Sequence, residues 1–267
     1  MTKRADILLV DLGLAPSRER AKALIMEGVV YSGEVKVNKA SDAFPDDTAL
    51  WIKEDPIPFV SRGGLKLDKA VRKYGISLEN AVCLDVGAST GGFTDCMLKN
   101  GASRVYAVDV GYGQLDWSLR NDPRVVCMER HNARTMAPDW FDMTPGFASC
   151  DVSFISIKLI LPRMYECLSE TGRAVVLVKP QFEAGRGKVG KNGIVRDEAT
   201  HREVLEGAAR FAVECGFSIL ALDYSPITGP KGNIEYLMYL AKEPGAETIN
   251  IAEEAENVVK RSHEELA

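Results

Sequence analysis

The 267-residue chain lacks any run of about 18 apolar residues, so no stretch of it reads as a helix long enough to cross a bilayer. Its first residues, MTKRADILLVDLG, are interrupted by Asp6 and Asp11 where a secretory signal would be uniformly apolar. A cytoplasmic protein is the expectation. Histidine is scarce: His131, His201 and His263 are the three, and no H-E-x-x-H spacing exists. The six cysteines, Cys83, Cys96, Cys127, Cys150, Cys167 and Cys215, are scattered through apolar segments and never form C-x-x-C. Reduced, buried thiols fit that scatter, whereas zinc sites and disulfide frameworks need clustered spacing or an oxidising compartment. No metal is expected, and neither an internal repeat nor a low-complexity segment is present.

What the chain does contain is 46% apolar residues, enough for a sizeable core in one or two domains. Net charge is −5, but residues 242–267 hold seven acids against three bases and so carry most of it. The remainder is close to neutral, which leaves room for a local basic face.

The first block runs to residue 54. RADILLVDLG and PSRERAKALIMEG read as short amphipathic helices, with Ser17 as an N-cap and Gly13 and Gly28 where left-handed closing residues are wanted. VVYSGEVKVN alternates around an expected Ser-Gly turn, and TALWIKE reads as another strand. The order helix, helix, hairpin, with Arg4, Asp6, Leu9, Gly13, Ser17, Arg18, Ala21, Leu24 and Gly28 at their positions, resembles the S4 RNA-binding domain of a ribosomal protein, tyrosyl-tRNA synthetase and pseudouridine synthases. That resemblance implies RNA contact through Arg4, Arg18, Arg20 and Lys22, since a few cations on one face suffice to neutralise phosphates. Glu19 and Glu27 dilute the charge there. Residues 55–61 follow as a linker, stiffened by Pro56 and Pro58.

From residue 62 to 267 a helix is followed by the apolar runs AVCLDVG, RVYAVDV, RVVCME, GFASCDVS, RAVVLVKP, FSILALDYS and IEYLMYL, the earlier ones alternating with helices. Near-continuous apolar strands imply a mainly parallel sheet covered on both faces. The last two lie too close for a helical crossover, so they pair antiparallel. The expected fold is α/β, a seven-stranded, mostly parallel, Rossmann-like sheet with an antiparallel last strand, behind a small α+β domain.

The first of these strands runs into CLDVGASTGGFTDCML, which reads as a strand ending at Asp85, a glycine turn and a helix from about Phe93. A phosphate loop would need lysine after the last glycine, and a dinucleotide fingerprint would need glycine where Ser89 stands. The pattern D-x-G-x-x-x-G-G, with an acid ending the next strand at Asp109, resembles instead the S-adenosylmethionine site of class I methyltransferases. The resemblance implies that Asp85, Gly87, Ala88, Ser89, Thr90, Gly91, Gly92 and Phe93 surround the cofactor. Asp109 would accept its ribose hydroxyls, as a carboxylate suits a vicinal diol. Asn132, after the third strand, is an adenine candidate.

Three further charges border apolar runs. Asp151 and Lys179 follow parallel strands and Glu235 precedes an antiparallel one, so strand direction puts all three on one rim of the sheet. Lys66, in VSRGGLKLDKA, would join them from the preceding helix, with Gly63 and Gly64 permitting a close approach. Lys66, Asp151, Lys179 and Glu235 together resemble the K-D-K-E tetrad of FtsJ-type ribose 2′-O-methyltransferases. With SRGGLKL, DVGASTGGFTD, CDVSFISI, LVKPQFEAGR and KNGIVRD, nearly the whole chain resembles the TlyA family. That resemblance implies methylation of cytidine 2′-hydroxyls in ribosomal RNA, with ribosomal RNA or subunits as partner, Lys179 as base or orienter, Asp151 and Glu235 as tuning groups, and Lys66 as electrostatic support.

Arg62, and Arg186, Lys188, Lys191 and Arg196 on the glycine-rich loop 183–197, are further RNA-contact candidates, because such a loop can order on a polyanion. Two rival readings stand beside this one. The haemolysin label of some family members implies a membrane-active protein, for which IAEEAENVVKRSHEELA is the best element, though short and acidic. The other rival is an RNA-binding protein on a non-catalytic scaffold.

Overall fold

A computed structural model describes residues 2–53, 57–243 and 245–266, with the side chains of Glu27 and Arg186 outside that set. The chain forms two compact units, Met1–Pro58 and Phe59–Ala267. Of the expected linker, residues 55 and 56 lie outside the described residues, as does Glu54 before it.

In the first unit a short strand, β1 (Thr2–Arg4), leads into α1 (Ala5–Asp11) and α2 (Arg18–Glu27). Ser17 opens α2 by accepting a hydrogen bond from the Arg20 backbone N–H, and Gly28 closes it at φ +75°. Strands β2 (Val30–Ser32), β3 (Val35–Lys36), β4 (Ala43–Pro45) and β5 (Leu50–Ile52) follow. The hairpin turn is Gly33-Glu34 rather than the expected Ser-Gly, because Ser32 pairs with Val35 and so belongs to the ladder. Gly33, at φ +55°, supplies the left-handed position such a turn requires. The sequence pattern missed β1 and β4, which pair antiparallel with each other over only three residues. Leu8, Leu9, Leu24 and Ile25 from the helices pack on Val30, Val37 and Leu50 to form this unit's core.

The second unit begins with α3 (Gly64–Tyr74) and then alternates: β6 (Val82–Val86), α4 (Gly92–Lys99), β7 (Arg104–Asp109), α5 (Trp117–Arg120), β8 (Val125–Glu129), β9 (Phe147–Cys150), α6 (Leu161–Cys167), β10 (Arg173–Val178) and the short α7 (Pro180–Glu183). It ends with α8 (Glu198–Glu214), β11 (Ser218–Tyr224), β12 (Tyr236–Ala241) and α9 (Ile251–Leu266). The sheet order is β11-β12-β10-β9-β6-β7-β8, with β12 antiparallel to both neighbours and the other pairs parallel. This is the expected seven-stranded sheet. Its central strands carry Leu84, Val86, Ala148, Cys150, Val176 and Val178 without solvent exposure. Burial on both faces explains why these strands read as unbroken apolar runs.

At the start of β12 the period-two alternation of a strand sends neighbours to different environments. Glu235, just before it, meets Lys66, while Tyr236 accompanies a buried histidine group. There the Tyr236 hydroxyl lies 2.8 Å from His201 Nδ1 and 3.1 Å from Ser262 Oγ, and His263 Nε2 lies 3.0 Å from the same His201 nitrogen. Burial, with the neighbouring His263, pushes the His201 pKa down to about 4. The group ties α8 and α9 to the strand that delivers Glu235.

Candidate active site

The glycine turn between β6 and α4 is shaped by what a β-carbon would strike. At Gly87, φ +85°, it would lie 2.8 Å from the Asp151 carbonyl oxygen; at Gly92 it would lie 2.7 Å from the Gly64 backbone nitrogen. On Gly64 it would enter the Phe59 ring at 2.4 Å. Gly92 lets the start of α3 lie against the start of α4, and that contact carries Lys66 inward until 8% of it remains exposed. The glycines of VSRGGLKLDKA are therefore a packing device with Lys66 as its charged tip, while Arg62 stays exposed.

Lys66 Nζ donates to Glu235 Oε2 at 2.7 Å and to Asp151 Oδ2 at 3.3 Å. Lys179 Nζ closes on Asp151 Oδ1 and donates to Ser153 Oγ at 2.9 Å. Two amines and two carboxylates thus form one chain of ion pairs, brought together from three strand ends and a helix. Burial opposes the charge on Lys66, but Asp151 and Glu235 outweigh it and hold its pKa above the ordinary lysine value. Lys66 is therefore an ammonium at neutral pH. The tetrad lines a cavity of ≈ 470 Å³ together with Phe154, Phe182 and Lys231.

A second cavity, of ≈ 460 Å³, shares Gly87, Ser89, Asp151, Ser153 and Phe154 with the first as a common wall. Asp109 lines it at the end of β7, accepting from the Ser89 N–H at 2.8 Å and the Gly111 N–H at 2.7 Å. A carboxylate offers roughly four lone-pair directions, so two remain for a ribose diol. Asn132 lines the same cavity, and its side-chain oxygen accepts from the Arg134 N–H. Val152, Ile155 and Ile160 provide an apolar wall. Acid, amide, glycine backbone and apolar wall together fit S-adenosylmethionine.

Asp85 does not line either cavity, contrary to the sequence expectation. The strand continues through Val86, which turns Asp85 into the protein, where Thr94 Oγ1 donates to it at 2.7 Å and Ser149 Oγ at 3.1 Å. Burial raises its pKa to about 7 despite those two bonds. It ties the strand to α4 and to β9. Gly91 likewise lines neither cavity: a β-carbon there would lie 2.2 Å from Leu119, so its role is packing. Ala88, Thr90, Gly92 and Phe93 line the tetrad's cavity, and Gly87 and Ser89 line both.

The RNA-contact candidates are spread over both units. In the first, Arg4 and Arg18 pair with the fully buried Asp6, each at 2.9 Å, and keep their outer parts in water. Arg20 is half-buried and Lys22 exposed. In the second, Arg62, Lys191 and Arg196 are exposed, Lys188 pairs with Glu203, and the Arg186 side chain lies outside the described residues.

Several residues escaped sequence reasoning. Phe154 is 88% exposed at φ +68°, a conformation an aromatic L-residue seldom adopts, with its ring 5.3 Å from that of Phe182. Nothing in the local pattern marks that backbone. Glu129, ending β8, accepts from the N–H groups of Gly113, Gln114 and Leu115 and pairs with Arg120 at 2.7 Å. The Arg120 bond and these backbone donors lower its pKa to about 2. An acid ending the third strand, as Asp109 ends the second, is the available signal.

Residues 59–242 match the family model of FtsJ-like methyltransferases, and residues 3–44 match the S4 domain. YqxC of Bacillus subtilis, named for rRNA methyl transfer, is 47% identical over 97% of this chain and 95% of its own. The 16S/23S rRNA (cytidine-2′-O)-methyltransferase TlyA of Mycobacterium tuberculosis is 44% identical over 89% of each chain. A solved Streptococcus thermophilus structure carrying a hemolysin label superposes with a TM-score of 0.79 at 47% identity, covering 99% of this chain and 96% of its own. With the tetrad and the cavity lined by Asp109 and Asn132 side by side in the matched region, the chain belongs to the FtsJ-like methyltransferase family.

Proposed function

We propose that this protein transfers the methyl group of S-adenosylmethionine to the 2′-hydroxyl of a cytidine ribose in ribosomal RNA. The observation that carries the reading is the joined tetrad of Lys66, Asp151, Lys179 and Glu235 in a cavity that shares a wall with the one lined by Asp109. Bound S-adenosylmethionine supplies an electrophilic methyl group. What remains for the protein is to hold a weakly nucleophilic hydroxyl in line with it and to manage the proton and the charge.

Lys179, linked to Asp151 and Ser153, directs the 2′-oxygen. As an ammonium it stabilises the oxygen's developing negative charge; when deprotonated it accepts the proton. Asp151 positions Lys179, Glu235 holds Lys66, and Lys66 adds positive potential beside the reacting oxygen. Phe154 and Phe182 offer apolar faces suited to a nucleobase, and Lys231 at the rim suits a phosphate.

The test is incubation with labelled methyl donor and unmodified ribosomal subunits or RNA, followed by mapping of the mark. A labelled cytidine 2′-oxygen is the expected result; methyl transfer to a base, or to protein only, refutes the reading. No helix among the described residues is long and apolar enough to cross a membrane. The helix α9, the element a lytic reading would use, packs Ala255, Val258 and Val259 into the core.

A further inference from the structure

The amino-terminal unit has a second basic surface, on the opposite side of its sheet from the helices. In the three-stranded sheet β3-β2-β5, Val30, Val37 and Leu50 face the core. The intervening positions face outward, and the register sets Lys36, Tyr31 and Trp51 side by side across the strands, with Lys53 two residues beyond Trp51 on the same face. Among the described residues, no acid occupies this outward face; Glu34 sits beyond it in the hairpin turn.

The rings of Tyr31 and Trp51 stack with centroids 5.2 Å apart and planes 28° from parallel. The Trp51 indole N–H donates to the Gly33 carbonyl at 2.7 Å, which fixes the ring over the hairpin, yet 42% of the residue stays exposed. Lys53 Nζ lies 5.5 Å from the Tyr31 centroid, while the Lys36 side chain, whose backbone is in register with Tyr31, carries its amine beside Gly28 at the end of α2. A cross-strand aromatic pair stabilises a small sheet, but that need does not account for the exposure or for two lysines without an acid between them. Trp51 and Lys53 also lie past the residues that match the S4 domain, 3–44.

We infer that this sheet face is a stacking platform for unpaired RNA, separate from the cations Arg18, Arg20 and Lys22 of α2. A preordered aromatic pair receives a base on its open side at little entropic cost, and flanking ammonium groups meet the adjoining phosphates. Charge complementarity selects this occupant: an acidic peptide would satisfy the lysines but leave the rings in water. The inference rests on the proposed RNA substrate, but it fails separately. Absence of a methyl mark on RNA would sink the enzymatic reading, whereas the platform is read by binding.

The experiment titrates the full-length protein with a labelled oligouridylate and, in parallel, with an RNA duplex, following fluorescence anisotropy. Trp51→Ala is expected to weaken oligouridylate binding by about 5- to 150-fold, the worth of one base stack, with duplex binding unchanged. Trp51→Phe should restore most of the affinity, and Lys53→Ala should lower the salt slope by about one. Melting temperatures identify any variant that has lost its fold. For such a case, a 4-thiouridine oligonucleotide crosslinked to the unaltered protein should attach at Tyr31 or Trp51. Crosslinks confined to other surfaces, equal loss of duplex and oligouridylate binding in a folded Trp51→Ala protein, or competition by oligoglutamate as strong as by RNA would overturn the inference.

Discussion

In the amino-terminal unit Asp6 is fully buried beneath Arg4 and Arg18, whose side chains remain 45% and 50% exposed. In the carboxy-terminal unit Lys66, Lys179 and Glu235 keep only 10%, 8% and 2% of their side chains in solvent. Both clusters are built on carboxylates, but the first uses one acid to hold two cations against the surface, facing out. The second encloses opposite charges around a cavity, where weak solvent screening strengthens every interaction and makes each missing partner expensive. On the proposed function, the outward-facing cations would meet a folded RNA and the enclosed pairs would serve a reacting oxygen.

The comparison breaks most sharply at Lys179. Lys179→Ala should lower methyl transfer by about 10²- to 10⁴-fold with S-adenosylmethionine affinity unchanged, as measured by labelled transfer and calorimetry. Equal transfer by the variant would return the tetrad to a structural role. Glu235→Gln comes next: it leaves Lys66 with one charged partner, and loss of half of a buried pair costs about 3–5 kcal/mol. Chemical denaturation reads that loss, and a change below about 1 kcal/mol would mean that the cavity screens these charges as water does.

Protonation divides the two units in opposite directions. Asp85 has a folded pKa raised to about 7, so its contribution to stability is complete below about pH 4 and disappears as pH rises through about 7. Asp6 has a folded pKa lowered to about 2, chiefly by the hydrogen bond from Arg4, so its contribution is complete above about pH 4 and is lost as pH falls toward 2. Asp85→Asn should therefore gain on the unaltered protein by roughly 1–3 kcal/mol between pH 5 and pH 8, and Asp6→Asn should flatten the acid limb of the amino-terminal unit. Melting curves across pH decide both, and parallel curves for Asp85→Asn and the unaltered protein would contradict the burial argument. The smallest effect is expected at Lys22: with no anchoring acid for it among the described residues, Lys22→Ala should lower the salt slope of RNA binding by about one without changing stability.

Much of this was legible along the chain. Ser17 and Gly28 announce the ends of α2 because capping is chemistry within one turn. The apolar runs announce a sheet covered on both faces, and the resemblance to a known tetrad named the four charges that meet. The hairpin at residues 33–34, by contrast, was shifted by one residue, since register depends on which partners the ladder aligns. The motif points Asp85 at the cofactor because its place in the motif is visible in sequence, whereas the direction of its side chain depends on how far the strand runs. The twisted backbone of Phe154 left no trace in a sequence of ordinary residues.

By itself, the sequence determined the succession of helices and apolar strands from residue 62 onward and the chemical character of each rim position, because propensity, capping and periodicity act over a few residues. Only the tertiary structure decided that Lys66 reaches Asp151 and Glu235 across sequence separations of 85 and 169 residues, that Asp85 turns inward while Asp109 lines a cavity, and that Tyr31 and Trp51 stack. Those outcomes depend on strand register and on backbone contacts that only glycine permits, and both are set when distant segments pack against one another.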